Sequence, residues 1–184
     1  AQELCADGCR VFLDMKFLDI GNTVERAVAN VARSGVSFLT IHGTDTKTLS
    51  AAVAGAAGSD LGLLAVTVLT NLSEADLEEQ GLVGMSPSQL VIKRALLAKK
   101  AGCRGVIASG REAAAVRAAA GDDLVIVTPG IRLPDDDAGD QSRITPPGQA
   151  IKDGADYIVV GRPITQAADR RAAAARVFES INQA

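Results

Sequence analysis

The sequence predicts an α/β fold with a largely parallel sheet, and two patterns along the chain support this prediction. Short runs of β-branched and other apolar residues alternate with longer Ala-rich stretches whose apolar residues recur every three or four positions. Most of the apolar runs are continuous, which is typical of strands that helices cover on both faces. Repeated strand–helix units of this kind form parallel sheets.

Six strands and six main helices follow from these patterns. The strands are predicted at residues 11–16, 36–42, 63–69, 105–108, 124–128 and 157–160. The helices are predicted at residues 23–33, 46–57, 87–101, 111–119, 147–153 and 165–182, and residues 1–8 have the pattern of the end of another helix. Ser86 followed by Pro87 is typical of a helix N-cap with proline in the first turn.

The composition indicates one soluble domain over residues 1–184. The 19 Lys and Arg residues are scattered and the formal net charge is −3, so a nucleic-acid-binding surface is not expected. The apolar runs are shorter than the ~18 residues that suggest a membrane span, and no secretory signal pattern is present. We therefore expect a cytoplasmic protein with no membrane or nucleic-acid partner.

The cysteines do not predict a metal site. Cys5 and Cys9 are four residues apart and would share one helix face, which makes a zinc pair conceivable, but a third or fourth ligand is missing nearby. We expect small, buried, reduced thiols at these positions and at Cys103.

Polar residues gather at the carboxyl ends of the predicted strands, from Asp14 and Lys16 after the first to Gly161 and Arg162 after the last. In a closed barrel of parallel strands this end is the catalytic rim, but an open doubly wound sheet also binds ligands there. Residues 131–147 add a long loop with three of the six prolines and three consecutive Asp residues. Long loops of this kind are often functional.

The segment Asp14-Met15-Lys16 carries the most specific chemistry. Residues two apart in an extended strand point the same way, so the carboxylate and the ammonium should project together, with Asp19 following three residues later. Such a cluster can keep a lysine protonated as a general acid while it presents negative charge to a departing group. For an isolated Asp-x-Lys, a salt bridge at the rim is the simpler interpretation.

The continuation of this segment resembles the signature of the orotidine 5′-monophosphate (OMP) decarboxylase family. The chain reads Asp-Met-Lys-Phe-Leu-Asp-Ile-Gly-Asn-Thr over residues 14–23, against a family pattern of the type Asp-x-Lys-x-x-Asp-Ile-x-Asn-Thr. Residues 66–70, 127–132, 139–141 and 156–164 resemble later family blocks in the family's order. The resemblance implies a (β/α)₈ TIM barrel, and it covers essentially the whole chain.

The resemblance also implies an activity and residue roles. It implies a homodimer with shared active sites that converts OMP to uridine 5′-monophosphate (UMP) and CO₂ in pyrimidine biosynthesis, without metal or organic cofactor. Lys16 would protonate C6, and Asp14 would lie against the departing carboxylate. Asp19 and Thr23 would reach into the neighbouring subunit's site, with Ile20 beside them among the substrate-binding residues.

The resemblance assigns further residues to substrate binding. A glycine followed by arginine at a helix start offers backbone N–H groups and a guanidinium to a phosphate, which supports the assignment of the last strand end. The assigned residues are Gly161 and Arg162 at that strand end, Arg132 and Gln141 in the long loop, and Thr70 and Pro129 at other strand ends.

The length departs from the family, because six βα units are evident where a closed barrel has eight. The two absent units belong at the front, and they would supply an Asp for the ribose and another Lys of the charged cluster. The chain is either a truncated or incompletely recorded version of a longer protein, which we expect, or a genuine fragment whose open sheet edges would tend to aggregate or pair with another chain. If the chain starts at Ala1, its activity should be very low.

Two alternatives remain open at this point. One is a Mg²⁺-dependent aldolase of the hexulose-phosphate synthase type, which uses a similar Asp-x-Lys block on the same barrel. The other is a non-catalytic barrel remnant that only binds nucleotides. Sensitivity of the activity to a chelator distinguishes the aldolase from the decarboxylase.

Overall fold

The computed structural model describes residues 1–133 and 144–183. Its strands are β1 Phe12–Phe17, β2 Phe38–His42, β3 Gly62–Val66, β4 Gly105–Ile107, β5 Val125–Thr128 and β6 Tyr157–Ile158. Its helices are α1 Gln2–Ala6, α2 Gly21–Ala32, α3 Thr46–Ala56, α4 Glu74–Glu79, α5 Pro87–Ala101, α6 Gly110–Ala120, α7 Pro147–Lys152, α8 Arg162–Thr165 and α9 Arg170–Asn182. The six strands occur in the predicted order with helices between them, and α4 and α8 are additional to the predicted helices.

The chain forms two compact units. The first contains Ala1–Thr67 and Lys93–Val106, and the second contains Val68–Ile92 and Ile107–Ala184. Within the first unit, β1, β2 and β3 are parallel and adjacent in chain order, and β4 follows β3. Within the second unit the order continues from the end of β4 to β5 and β6, with β5 and β6 parallel. The single domain predicted over residues 1–184 stays a prediction.

The core of the first unit lies between its strands and helices. All five residues of β3 are buried, as expected for a continuous apolar strand with both faces covered. Helices α2 and α3 pack closely at Gly55, where an added Cβ would lie 2.3 Å from the carbonyl oxygen of Glu25. Only glycine allows this backbone approach.

The second unit is held by an arginine network. Arg117 on α6 donates to the carbonyl oxygens of Gly121, Leu124 and Gly154, at 2.9 Å each, and to Asp156 Oδ2 at 2.7 Å. The same Oδ2 accepts from the backbone N–H of Ile126 at 2.7 Å. One guanidinium therefore ties α6 to β5 and to the turn that leads into β6.

Two parts of the predicted secondary structure are wrong. The helix predicted at 165–182 begins only at Arg170, where the Asp169 side chain accepts from the N–H of Ala172 as the N-cap of α9, and the short helix α8 before it was not predicted. Helix α4 was not predicted, although Ser73 and Asp76 form a capping box at its start. The N-cap predicted at Ser86 is confirmed, since its hydroxyl accepts from the N–H of Gln89.

The cysteine prediction is also partly wrong. Cys103 is buried, but Cys9 is exposed and lies beyond the end of α1, so it does not share a helix face with Cys5. No helix in the described part of the chain combines the length and apolarity needed to cross a membrane.

Candidate active site

The acid and the lysine predicted to project together form an ion pair at the end of β1. Lys16 Nζ donates to Asp14 Oδ2, and the two side chains are 39% and 49% exposed. An ammonium has three N–H donors, of which the described residues take one. The pair is therefore open to a ligand that approaches from solvent.

A β-bulge carries this pair, where the sequence predicted a regular strand. Leu13 pairs with Leu39 and Phe17 pairs with Ile41, so three residues of β1 lie opposite a single residue of β2. Within the bulge Lys16 has φ +49°, and it is the one described non-glycine residue with a positive φ. Left-handed backbone of this kind costs about 1–2 kcal/mol, and strain of this type concentrates at functional sites.

Thr40 is the β2 residue opposite the bulge, and it is completely buried. Its hydroxyl donates to Asp14 Oδ1 at 2.7 Å and accepts from the backbone N–H of Lys16 at 2.9 Å. The second bond satisfies a backbone donor that the interrupted ladder leaves without a strand partner. One hydroxyl therefore fixes both the carboxylate and the lysine backbone.

The His42 imidazole lies near the charged groups of Lys16 and Arg94 in the first unit. Burial lowers the pKa of His42 below 6.5, and the nearby charges of Arg94 and Lys16 lower it further, while Asp14 opposes them. Half-buried Arg94 donates from Nη1 to the carbonyl oxygen of Thr67. His42 is thus uncharged at neutral pH.

The segment after β1 is exposed. Leu18 and Ile20 are 55% and 74% exposed, and Thr23 is exposed on the first turn of α2. The Asp19 carboxylate accepts from the N–H of Ile20 at 2.7 Å and meets no cation among the described residues. The structure therefore does not bring Asp19 to Lys16 within one chain.

In the second unit, the described base of the long loop is packed rather than open. Ile131 forms a parallel bridge with Thr145, and the Arg132 N–H donates to the Thr145 carbonyl oxygen at 3.2 Å. The Arg132 side chain is only 7% exposed, and its Nη1 donates to the carbonyl oxygen of Ile131 at 2.8 Å. Pro129 is half-buried at the end of β5.

The proposed phosphate pair lies after β6. Gly161 is the N-cap of α8, Arg162 is the first helical residue, and both are exposed. The space where a Cβ of Gly161 would lie is open, so the backbone there is accessible. The predicted arrangement of glycine, arginine and a helix start is therefore present, on a helix of only four residues.

The structure says little about the other residues that the resemblance assigns to substrate binding. Thr70 is half-buried in the turn that follows β3. Gln141 lies outside the described residues. Over residues 1–133 and 144–183, no group of three His, Cys, Asp or Glu side chains is placed to hold a metal ion.

Sequence reasoning missed two residues of the first unit, Thr40 beside the ion pair and Arg94 near His42. Thr40 stands in the run Phe38-Leu39-Thr40-Ile41, where a single threonine is ordinary for a buried strand. Arg94 lies on a helix whose other charged residues, Lys93, Lys99 and Lys100, are all exposed, and no sequence pattern distinguishes the half-buried arginine from these lysines. Only the register of β1 on β2 identifies Thr40 as the partner of Asp14.

Comparison with known proteins gives one consistent family. The family model described as "Orotidine 5'-phosphate decarboxylase / HUMPS family" matches residues 1–177. Proteins named orotidine 5'-phosphate decarboxylase from Bradyrhizobium sp. (strain BTAi1) and Methylobacterium sp. (strain 4-46) are each 50% identical to the chain. Both alignments cover all of this chain, and 75% and 78% of the respective relatives.

A solved structure shows the same fold. The crystal structure of orotidine 5'-phosphate decarboxylase from Lactobacillus acidophilus matches with a TM-score of 0.84 and 35% identity, over 98% of this chain and 79% of that one. The six described strand–helix units are accordingly part of a TIM barrel of this type. The chain belongs to the orotidine 5'-phosphate decarboxylase / HUMPS family.

Proposed function

We propose that this protein is a cytoplasmic OMP decarboxylase that converts OMP to UMP and CO₂ in pyrimidine biosynthesis, without metal or organic cofactor. The observation that carries the proposal is the open Asp14–Lys16 ion pair on a strained bulge. It occurs in a chain that is 50% identical to proteins named for this activity.

Lys16 supplies the proton in the proposed reaction. The bond between C6 of the pyrimidine and its carboxylate breaks, CO₂ leaves, and the electron pair stays on C6. The Lys16 ammonium stabilises this carbanion as it forms and then donates a proton to C6. The lysine is left as a neutral amine and regains its proton from solvent.

Asp14 acts on the ground state and on Lys16 together. Its carboxylate lies beside the position proposed for the substrate carboxylate, so two like charges meet before the bond breaks and separate as CO₂ departs. The Thr40 hydrogen bond and the Lys16 ion pair hold Asp14 as an acceptor in one orientation.

We assign the phosphate of OMP to Gly161 and Arg162 as its main contacts. The exposed guanidinium and the accessible backbone after β6 support this assignment. Arg132, Gln141, Pro129 and Thr70 are assigned to substrate binding through their positions in the family blocks. Remote phosphate binding would assist turnover as well as affinity, because its energy can order the site.

A homodimer with shared sites is part of the proposal. Exposed Leu18 and Ile20 flank Asp19, an acid that meets no cation among the described residues of its own chain. A second copy that covers the two apolar side chains would bring Asp19 and Thr23 into the neighbouring site. Light scattering during gel filtration tests this: Ile20→Glu should shift the protein to a monomer, and an unchanged dimer would contradict the assigned surface.

An assay of OMP with purified protein tests the activity. Intact mass first establishes which residues the purified chain contains. UMP formation, followed by chromatography, should be unaffected by excess EDTA and should depend on Lys16. No UMP formation, together with an EDTA-sensitive aldol reaction on a sugar phosphate, would favour a Mg²⁺-dependent aldolase. Binding of UMP without any turnover would favour a non-catalytic remnant.

A further inference from the structure

A buried hydroxyl controls the candidate catalytic pair from the neighbouring strand. We infer that Thr40 is a positioning residue for decarboxylation, acting through Asp14 and through the backbone of Lys16. This inference rests on the proposed function of those two residues. Thr40 itself does not touch the substrate in this account, because its side chain is completely buried.

The register shows why a hydroxyl is needed at this position. Between the pairs Leu13–Leu39 and Phe17–Ile41, β1 has three residues and β2 has only Thr40. The bulged residues cannot all form ladder hydrogen bonds with a single partner residue. The backbone N–H of Lys16 therefore depends on the Thr40 hydroxyl as its acceptor, at 2.9 Å.

The same hydroxyl has a donor hydrogen, and it is used on the acid. Thr40 Oγ1 donates to Asp14 Oδ1 at 2.7 Å, while Asp14 Oδ2 accepts from Lys16 Nζ. The β-branched side chain of threonine has few χ1 rotamers, so the hydroxyl is held in one place. Both oxygens of Asp14 are thus fixed, one by a rigid buried donor and one by the catalytic ammonium.

This arrangement links a strained backbone to the orientation of a side chain. Lys16 keeps φ +49° only while something compensates the cost of that conformation. Loss of the hydroxyl would let the bulge relax and would free the Asp14 carboxylate to rotate. A displacement of about 1 Å at a reacting group can reduce a rate by about 100-fold.

Thr40→Val tests the inference, because valine keeps the shape and removes the hydroxyl. We expect kcat for OMP to fall about 10- to 100-fold while KM changes less than about threefold, since the substrate contacts remain. Thr40→Ser keeps the hydroxyl and should restore kcat to within about threefold of the parent. If Thr40→Val does not fold, Thr40→Cys takes its place with the same expected loss.

Thr48→Val is the matched control for lost stability. Thr48 is also buried in the first unit, and its hydroxyl also donates to an aspartate, Asp45, at 2.8 Å. This variant should lose stability as Thr40→Val does but keep kcat. An equal loss of kcat in both variants, or an unchanged kcat in Thr40→Val, would overturn the inference.

A double-mutant cycle with Asp14 separates this inference from a general packing role. If Thr40 acts through Asp14, Thr40→Val should reduce kcat much less in an Asp14→Ala background than in the parent. Fully additive losses would contradict the inference. In a parent protein whose eight βα units intact mass has confirmed, absence of UMP formation would instead refute the proposed function, so the two failures are distinguishable.

Discussion

Two ion pairs, Lys16–Asp14 in the first unit and Arg117–Asp156 in the second, differ in how their side chains are used. The donors of Arg117 reach three carbonyl oxygens and a carboxylate, and its side chain is only 19% exposed. Lys16 uses one donor among the described residues, is 39% exposed and lies on strained backbone. The first arrangement is typical of stabilisation and the second of a site that receives a ligand.

The largest expected effect comes from removing the ammonium. Lys16→Gly and Lys16→Ala should each reduce kcat for OMP by about 10³-fold or more, as expected for loss of a general acid that also stabilises charge. Glycine tolerates a positive φ and alanine does not, so Lys16→Gly should be about 1 kcal/mol more stable than Lys16→Ala. Chemical denaturation measures this difference. Equal free energies of unfolding in the two variants would show that backbone strain at position 16 does not distinguish the two ion pairs.

Arg162→Ala should lose activity. Arg162 is exposed, and its assigned ligand is the phosphate of the substrate, so kcat/KM should fall by about 10²-fold. Arg171→Ala on α9, also exposed, is the control and should leave kcat/KM unchanged. An unchanged rate at low OMP concentration in Arg162→Ala would exclude Arg162 from the phosphate site.

Arg117→Ala should instead lose stability and keep its activity. The free energy of unfolding should fall by about 2–3 kcal/mol, because three carbonyl oxygens and Asp156 lose a donor in a partly buried place. Arg111→Ala, an exposed change on the same helix, should alter stability by less than about 0.5 kcal/mol. If Arg117→Ala kept the stability of the parent but had a reduced kcat, the structural role assigned to the Arg117–Asp156 pair would be wrong.

The smallest effect concerns the pH dependence of stability. The pKa of His42 is lowered in the folded state, so the unfolded state binds its proton first as the pH falls through 6.5. His42 therefore reduces stability progressively below pH 6.5, until the folded state is protonated too. His42→Gln should remove this contribution, so its free energy of unfolding should fall less than that of the parent as the pH is lowered from 7.5. Identical pH dependences in the two proteins would contradict the lowered pKa.

The fold was largely predictable from the sequence because strands and helices here follow local patterns. The continuous apolar run that became β3 is fully buried, and α5 begins at Pro87 as its cap residues indicated. The split between α8 and α9 was missed because Asp169 in an Ala- and Arg-rich stretch has a helical pattern on both sides. Its role as a cap depends on local backbone geometry that periodicity does not report.

The site was predictable only where its residues are close in sequence. Asp14 and Lys16 were expected to project together from a regular strand, and they do so from a bulge that depends on Thr40, 26 and 24 positions away. The ion pair of Asp156 with Arg117, 39 positions earlier, was likewise not predicted. Pairings between distant residues depend on sheet register, which a single sequence does not specify.

Restoring an ammonium at position 16 tests the central claim most directly. Lys16→Cys should abolish UMP formation, and treatment with 2-bromoethylamine, which rebuilds an ammonium of similar length on sulfur, should restore a substantial part of it. The parent protein treated in the same way is the control, because exposed Cys9 can also react with the reagent. Burial raises the pKa of the Cys103 thiol to about 12 and keeps it unreactive. Decarboxylation by untreated Lys16→Cys at the parent rate would contradict the account.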